Sequence, residues 1–241
     1  WWEEQIGDVR LSDLSTALIK EKRDLLSRTI TNRKKQMSPA RVNRYMAALS
    51  TALNTSIREW EWMEDNPMRK ISKLKEPRGR VRHLSKDERE SLLAACKDSV
   101  NNHLYLAVVL ALSTGARQQE IWGLQWSEVN FETGFITFTE TKNEESRSVP
   151  LKGHACKLLL EHYRIRRKDS DIVFPSKKNP AVSYDFRNPW KKALVVAEVE
   201  DFRWHDLRHS CASYLAMNGA PMRTIAEILG HKTLSMVQRY T

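Results

Sequence analysis

"RWHDLRHSCASYLAMNGAPMRTIAEILGHKTLSMVQRYT", Arg203–Thr241, sets three histidines, four arginines and Tyr240 among plainly helical apolar runs. His205 and Arg208 are three apart, so they share a helical face. Gly230 falls between the apolar Leu229 and His231, where glycine ends a helix and turns the next residue back. His209, the residue after Arg208, is read as structural and facing away from His205. These donors come with neither a glycine-rich phosphate loop nor metal-ligand spacing. His83, His103, His154 and His162 lack metal spacing as well.

Composition narrows the class. The chain has 241 residues, 41% of them hydrophobic, with eight tryptophans, enough for a real core. A formal charge of +10 favours a polyanionic partner such as nucleic acid. Cys96, Cys156 and Cys211 are odd in number, widely spaced and set among small or apolar residues. They read as buried thiols of a reducing compartment, neither a disulfide framework nor a zinc site. No run of about 18 apolar residues predicts a membrane span, and no secretory signal is present. The chain opens at Trp1 rather than methionine.

Working back from the C-terminus, "SYDFRNPWKKALVVAEV" and "KGHACKLLLEHYRIRRK" read as amphipathic helices. "GFITFTETKNEESRSVPL" places β-branched and aromatic residues on both sides of a polar turn, the pattern of a hairpin. "NNHLYLAVVLALSTGA" is an apolar helix ending near Gly115, and "RQQEIWGLQW" starts another at a turn whose backbone N–H groups favour an anion. Ser85 with Glu88 forms a capping box that opens a further helix. "KEPRGRVRH", Lys75–His83, offers only Val81 to a core and reads as a basic linker at 77–83 between residues 1–76 and 84–241. In residues 38–60, Val42, Met46, Leu49, Leu53, Ile57 and Trp60 form an apolar stripe of helical period. Arg41, Arg44, Ala48, Thr51, Thr55 and Arg58 fall opposite. Between Leu25 and Arg58 there are seven basic residues and no Asp or Glu, whereas ordinary solvated faces mix both signs. Arg41, Arg44, Thr51 and Arg58 are therefore assigned to a DNA-contacting face. The fold class expected is mainly α with a small antiparallel β-sheet.

"HDLRH", "LGH" and Tyr240, with "STGARQQEIWGLQW" earlier, resemble the tyrosine recombinase family, the phage-integrase group. The boxes span Ser113–Trp126, Thr141–Leu151 and His205–Tyr240, in family order, with nine residues from His231 to Tyr240. The resemblance implies a helical core-binding (SAM-like) domain followed by a mixed α+β catalytic domain, both closing on duplex DNA. It implies Tyr240 as the nucleophile that forms a 3′-phosphotyrosyl bond. Taken alone, a tyrosine near a chain end is more often a packed aromatic. Arg117 and Arg208 correspond to the family's two phosphate-binding arginines, able to fork N–H groups onto the non-bridging oxygens in place of a metal. His205 and His231 correspond to its hydrogen-bond donors at the phosphate. Lys142, in the hairpin turn, corresponds to its general acid for the departing 5′-oxygen, and Glu120 to the acid supporting the first arginine.

The chemistry implied needs no cofactor, metal or ATP, because the phosphotyrosyl ester conserves the broken bond. The family's partners are double-stranded DNA with specific sites, three further copies in a homo-tetramer, and accessory DNA-bending proteins; no membrane is involved. A cytoplasmic, nucleoid-associated protein of phage or bacterial origin is expected. Integrases often carry an arm-binding domain, which here would precede Trp1, and a tail beyond the tyrosine that packs on a neighbour. A type IB topoisomerase shares the tyrosyl chemistry but resembles these boxes less closely. A non-catalytic basic DNA-binding regulator is the rival of another class, and the complete catalytic set argues against it. A metal-dependent nuclease is disfavoured because no carboxylate cluster accompanies the site.

Overall fold

A computed structural model describes residues 1–32, 34–77, 79–139 and 146–240. The chain divides into two compact units, Trp1–Gly79 and Arg80–Thr241. The mainly helical class with a small antiparallel sheet holds.

The first unit holds helices α1 (Trp2–Ile6), α2 (Thr16–Arg28) and α3 (Pro39–Arg58). Ser38 caps α3 through its side chain, with Pro39 at the first helical position, where a missing N–H costs nothing. Val42, Met46, Leu49 and Leu53 are buried against Ile19 and Leu26 of α2, as the stripe predicts. The stripe does not reach Trp60. The helix stops at Arg58, and Trp60 lies half exposed beyond it, its ring 4.6 Å from that of Trp62. A period of 3.6 has no meaning once the backbone leaves the helix. Asn43 interrupts the apolar face for a reason: its amide donates to Leu74 O and accepts from Leu74 N, both at 2.9 Å. A buried polar group thus pins the end of the unit to α3.

The second unit contains α4 (Lys86–Lys97), α5 (Leu104–Thr114), α6 (Gln118–Trp122), strands β1 (Val129–Asn130), β2 (Phe135–Thr139) and β3 (Ser146–Pro150), then α7 (Gly153–Arg164), α8 (Arg187–Val196), α9 (Trp204–Met217) and α10 (Met222–Leu229). Two 3₁₀ turns, Leu234–Met236 and Gln238–Tyr240, follow. Helix α5 is apolar all round and correspondingly buried, with α4, α6, α7 and α9 packed about it. Ser85 and Glu88 form the expected reciprocal cap of α4. Arg80 and Arg82, inside the segment read as linker, make ion pairs within this unit, to Asp201 and Asp206 and to Glu88.

The sheet is antiparallel in the order β1-β2-β3, with Phe138 opposite Arg147 and Ile136 opposite Val149. Alternation sends Ile136, Phe138 and Val149 inward, while Thr137 and Ser148 meet at 2.9 Å on the other face. β1, two residues long, is too short to announce itself in the sequence. Cys96 and Cys211 are buried as expected, but Cys156 is only half-buried, packed against the core from α7. His103 and His162 pack edge to face, 5.1 Å between centroids, beside Phe174.

Candidate active site

The site begins with a backbone turn. Gly115 ends α5 with φ +61°, and a Cβ there would meet Leu229 Cδ2 at 2.5 Å and Cys211 Sγ at 3.3 Å. Only glycine allows both the left-handed backbone and this close approach. The ends of α5 and α10 are therefore drawn together over α9, and Arg208 of α9 bridges them. Its Nη1 donates to Gly115 O at 2.7 Å and its Nη2 to Leu229 O. The side chain is buried. Burial, then the charges of Arg117 and Arg147, lowers its pKa to about 10, so it stays cationic at neutral pH while poorly hydrated. A cation held in this way is a strong anchor for an anion.

Arg117 caps α6 from the turn after Gly115. The backbone amides at this turn were expected to be available to an anion. Instead, Arg117 N donates to Glu120 Oε2 at 2.5 Å, because a capping carboxylate three residues on reaches it first. Arg117 Nη1 also meets Glu120 Oε1, at 2.9 Å. Glu120 thus contacts Arg117, yet it makes more bonds to a residue the sequence did not single out. Arg147 of β3 holds it with two bonds of 2.6 Å. Burial alone would raise the Glu120 pKa. The Arg147 bonds, the Arg117 amide and both guanidinium charges more than offset it, bringing the value to about 2. Arg147 also donates to Ile228 O at 3.2 Å, stacks 4.9 Å above the Phe138 ring, and lies where a Cβ on Gly230 would be, 2.8 Å from its Cδ. One side chain thus ties the sheet, α6 and the end of α10. Its only sequence signal was an arginine on a strand position facing a buried phenylalanine.

Gly230, with φ +64°, caps α10 as expected, and His231 N returns to Ala226 O at 2.9 Å. His231 is half-buried. Burial, then the charges of Arg208 and Arg117, lowers its pKa to about 4. Its Nδ1 is buried without a hydrogen-bond partner among the described residues. His205 stands on the exposed side of α9, its pKa lowered by burial and then by Arg208.

Tyr240 packs on Ala212, Ile225, Ala226, Leu229 and Val237, within its own chain. Burial raises its pKa and the charges of Arg239 and Arg208 oppose the rise. Its hydroxyl lies 2.5 Å from His209 Nδ1. His209 therefore does not face away from the site. It is four residues after His205, one helical turn on, so both occupy the same face, with ring centroids 5.1 Å apart. Arg117, His205, Arg208, His231 and Tyr240 converge in this way. Lys142 lies outside the described residues. Arg41, Arg44 and Thr51 are exposed along α3, as is Arg58 at its end, whereas Thr55 is half-buried. No group of three or more His, Cys, Asp or Glu suited to a metal occurs among the described residues.

The phage integrase family matches residues 82–241. The integrase of Salmonella phage P22 is 30% identical over 207 residues, 81% of this chain and 52% of that protein. A shufflon-specific DNA recombinase of Escherichia coli is 32% identical over 197 residues, 81% of this chain and 49% of that one. The chain thus spans about half the length of these relatives. Among solved structures, the catalytic domain of bacteriophage HP1 integrase is 32% identical, with TM-score 0.54, covering 67% of this chain and 87% of that one. A lambda integrase dimer bound to a core site has the same fold at 20% identity, with TM-score 0.72, covering 99% of this chain and 86% of that one. The chain belongs to the phage integrase family of tyrosine recombinases.

Proposed function

We propose that this chain is the core-binding and catalytic part of a site-specific DNA recombinase. It breaks and rejoins strands through a 3′-phosphotyrosyl intermediate, in the integration or excision of a phage or other mobile element. The observation that supports this reading is the 2.5 Å contact of the Tyr240 hydroxyl with His209, the residue next to the buried Arg208, whose guanidinium bonds the carbonyls of Gly115 and Leu229 just ahead of Arg117 and His231. Such a pocket suits a phosphodiester. Arg208 and Arg117 neutralise the non-bridging oxygens, and His231 Nδ1, buried and without a hydrogen-bond partner among the described residues, is available to the same group.

Attack by the Tyr240 oxygen on phosphorus forms the P–O bond to the protein as its phenolic proton is released to water, and the bond to the 5′-oxygen breaks. That oxygen takes a proton from Lys142, with His205 at the flank of the site. The second strand's 5′-hydroxyl reverses the step. The exposed arginines of α3 and the charge of +10 supply the phosphate contacts of duplex binding. Specific recombination sites, a homo-tetramer on DNA, accessory bending proteins and a cytoplasmic, nucleoid-associated setting belong to the same reading. No described helix is long and apolar enough to cross a membrane.

The test is covalent trapping on DNA from the element's own ends. Tyr240→Phe should bind the site and form no denaturation-resistant adduct. An adduct from the Phe variant would move the nucleophile to another tyrosine. Relaxation of a supercoiled plasmid without a specific site would instead point to topoisomerase chemistry.

A further inference from the structure

We propose that His209 is the residue that positions the nucleophile: its Nδ1 accepts a hydrogen bond from the Tyr240 hydroxyl and holds the phenol on the pocket of its own chain. This rests on Tyr240 being the nucleophile. The geometry is specific. The two atoms are 2.5 Å apart, and the rings lie 5.6 Å apart at 44°, so the imidazole meets the hydroxyl and not the face of the phenol.

His209 is itself buried on α9 next to Arg208, whose two carbonyl bonds tie that turn of helix to the ends of α5 and α10. Tyr240, in contrast, is carried by short 3₁₀ turns in which Val237 is buried. A helix packed in the core therefore sets the position of a side chain carried on a short turn. The groups facing His209 are His205 and Arg208 from α9, Arg239 beside the tyrosine, and Asp206. Burial and then the neighbouring His205 lower the His209 pKa to about 4, while burial raises that of Tyr240. At neutral pH an uncharged imidazole thus meets a protonated phenol. That pairing makes the phenol the donor and the imidazole nitrogen the acceptor. It also argues against full transfer of the proton to His209 before attack, so the role is orientation.

Two conservative variants separate orientation from packing. The Oδ1 of His209→Asn occupies nearly the place of Nδ1, whereas the amide of His209→Gln reaches the place of Nε2. Single-turnover formation of the covalent adduct should stay within about threefold of the parent for His209→Asn. It should fall roughly ten- to hundredfold for His209→Gln and His209→Leu, the loss expected when a reacting atom is misplaced by about 1 Å. Affinity for site DNA should change little in all three, and circular dichroism checks that each is folded. Equal impairment of the Asn and Gln variants would overturn the inference, as packing alone would then matter. So would parental rates in both. Tyr240→Phe, run in parallel, separates the two readings: an adduct there defeats the assignment of the nucleophile, whereas no adduct there with a fully active His209→Gln defeats only the role of His209.

Discussion

Arg147→Met removes the guanidinium that grips Glu120 and leaves a carboxylate that is 14% exposed with Arg117 as its remaining ion-pair partner among the described residues. The magnitude follows from the structure. A fall of the Glu120 pKa from 4.5 to about 2, at about 1.4 kcal/mol per pH unit, means that the folded state favours the charged form by roughly 3–4 kcal/mol net of the burial that opposes it, so its partners together supply more than this. Of the guanidinium bonds, Arg147 supplies two of 2.6 Å and Arg117 one of 2.9 Å, beside the Arg117 amide at 2.5 Å, so Arg147 is the largest single contributor. A coupling energy of about 2 kcal/mol between Glu120 and Arg147 is expected. The single variant should cost more, about 3–4 kcal/mol, because the Phe138 stacking and the Ile228 carbonyl bond go too. The assay is a double-mutant cycle with Glu120→Gln, read by pulsed alkylation of thiols along a urea gradient. All three cysteines lie in the second unit and two are buried, so labelling reports that unit's unfolding only. The sign of the pH dependence is fixed as well. Glu120 is depressed in the folded state, so its contribution is complete above about pH 4.5 and is lost as pH falls through about 2. A coupling below about 0.5 kcal/mol would put the pair on a level with solvent-exposed ion pairs and refute its role as the tie between sheet and helices.

Lys142→Ala should cleave ordinary DNA very slowly and recover on a substrate with sulfur at the bridging 5′ position, since a thiolate leaves without a proton. Arg117→Ala and Arg208→Ala should recover far less, and rescue of His205→Ala instead would assign the proton to the histidine. Replacing Arg41, Arg44 and Arg58 by alanine should weaken DNA binding and flatten the plot of log affinity against log salt by roughly one unit for each phosphate no longer neutralised. An unchanged slope would make that exposed face merely solvated. Burial, then His162 and Lys177, lowers the His103 pKa from 6.5 to about 4, so the unfolded chain takes up a proton that the folded one refuses in that interval. Stability is full above about pH 6.5 and declines towards pH 4, and His103→Phe should reduce that decline by one proton's worth of slope, read by urea unfolding at several pH values.

What the sequence determined by itself is the part of the structure set within a turn or two of the chain. The α3 stripe, the Ser85–Glu88 box, the glycine stops at Gly115 and Gly230, and the hairpin all depend on neighbours a few residues away. Ordered boxes around Arg117, Arg208, His231 and Tyr240 also carried the family. What only the tertiary structure decided is the pairing of groups far apart in sequence. Arg147 meets Glu120 from another element, Arg208 reaches Gly115 O across 93 positions, and the Tyr240 hydroxyl meets His209 across 31. Periodicity even carried the apolar stripe too far, to Trp60, because a spacing pattern does not record where the backbone stops being helical. The physical reason is one of range. Caps and periods are fixed by covalent neighbours, whereas the partner of a buried charge is fixed by which helix and strand surfaces pack together, and that depends on the whole core.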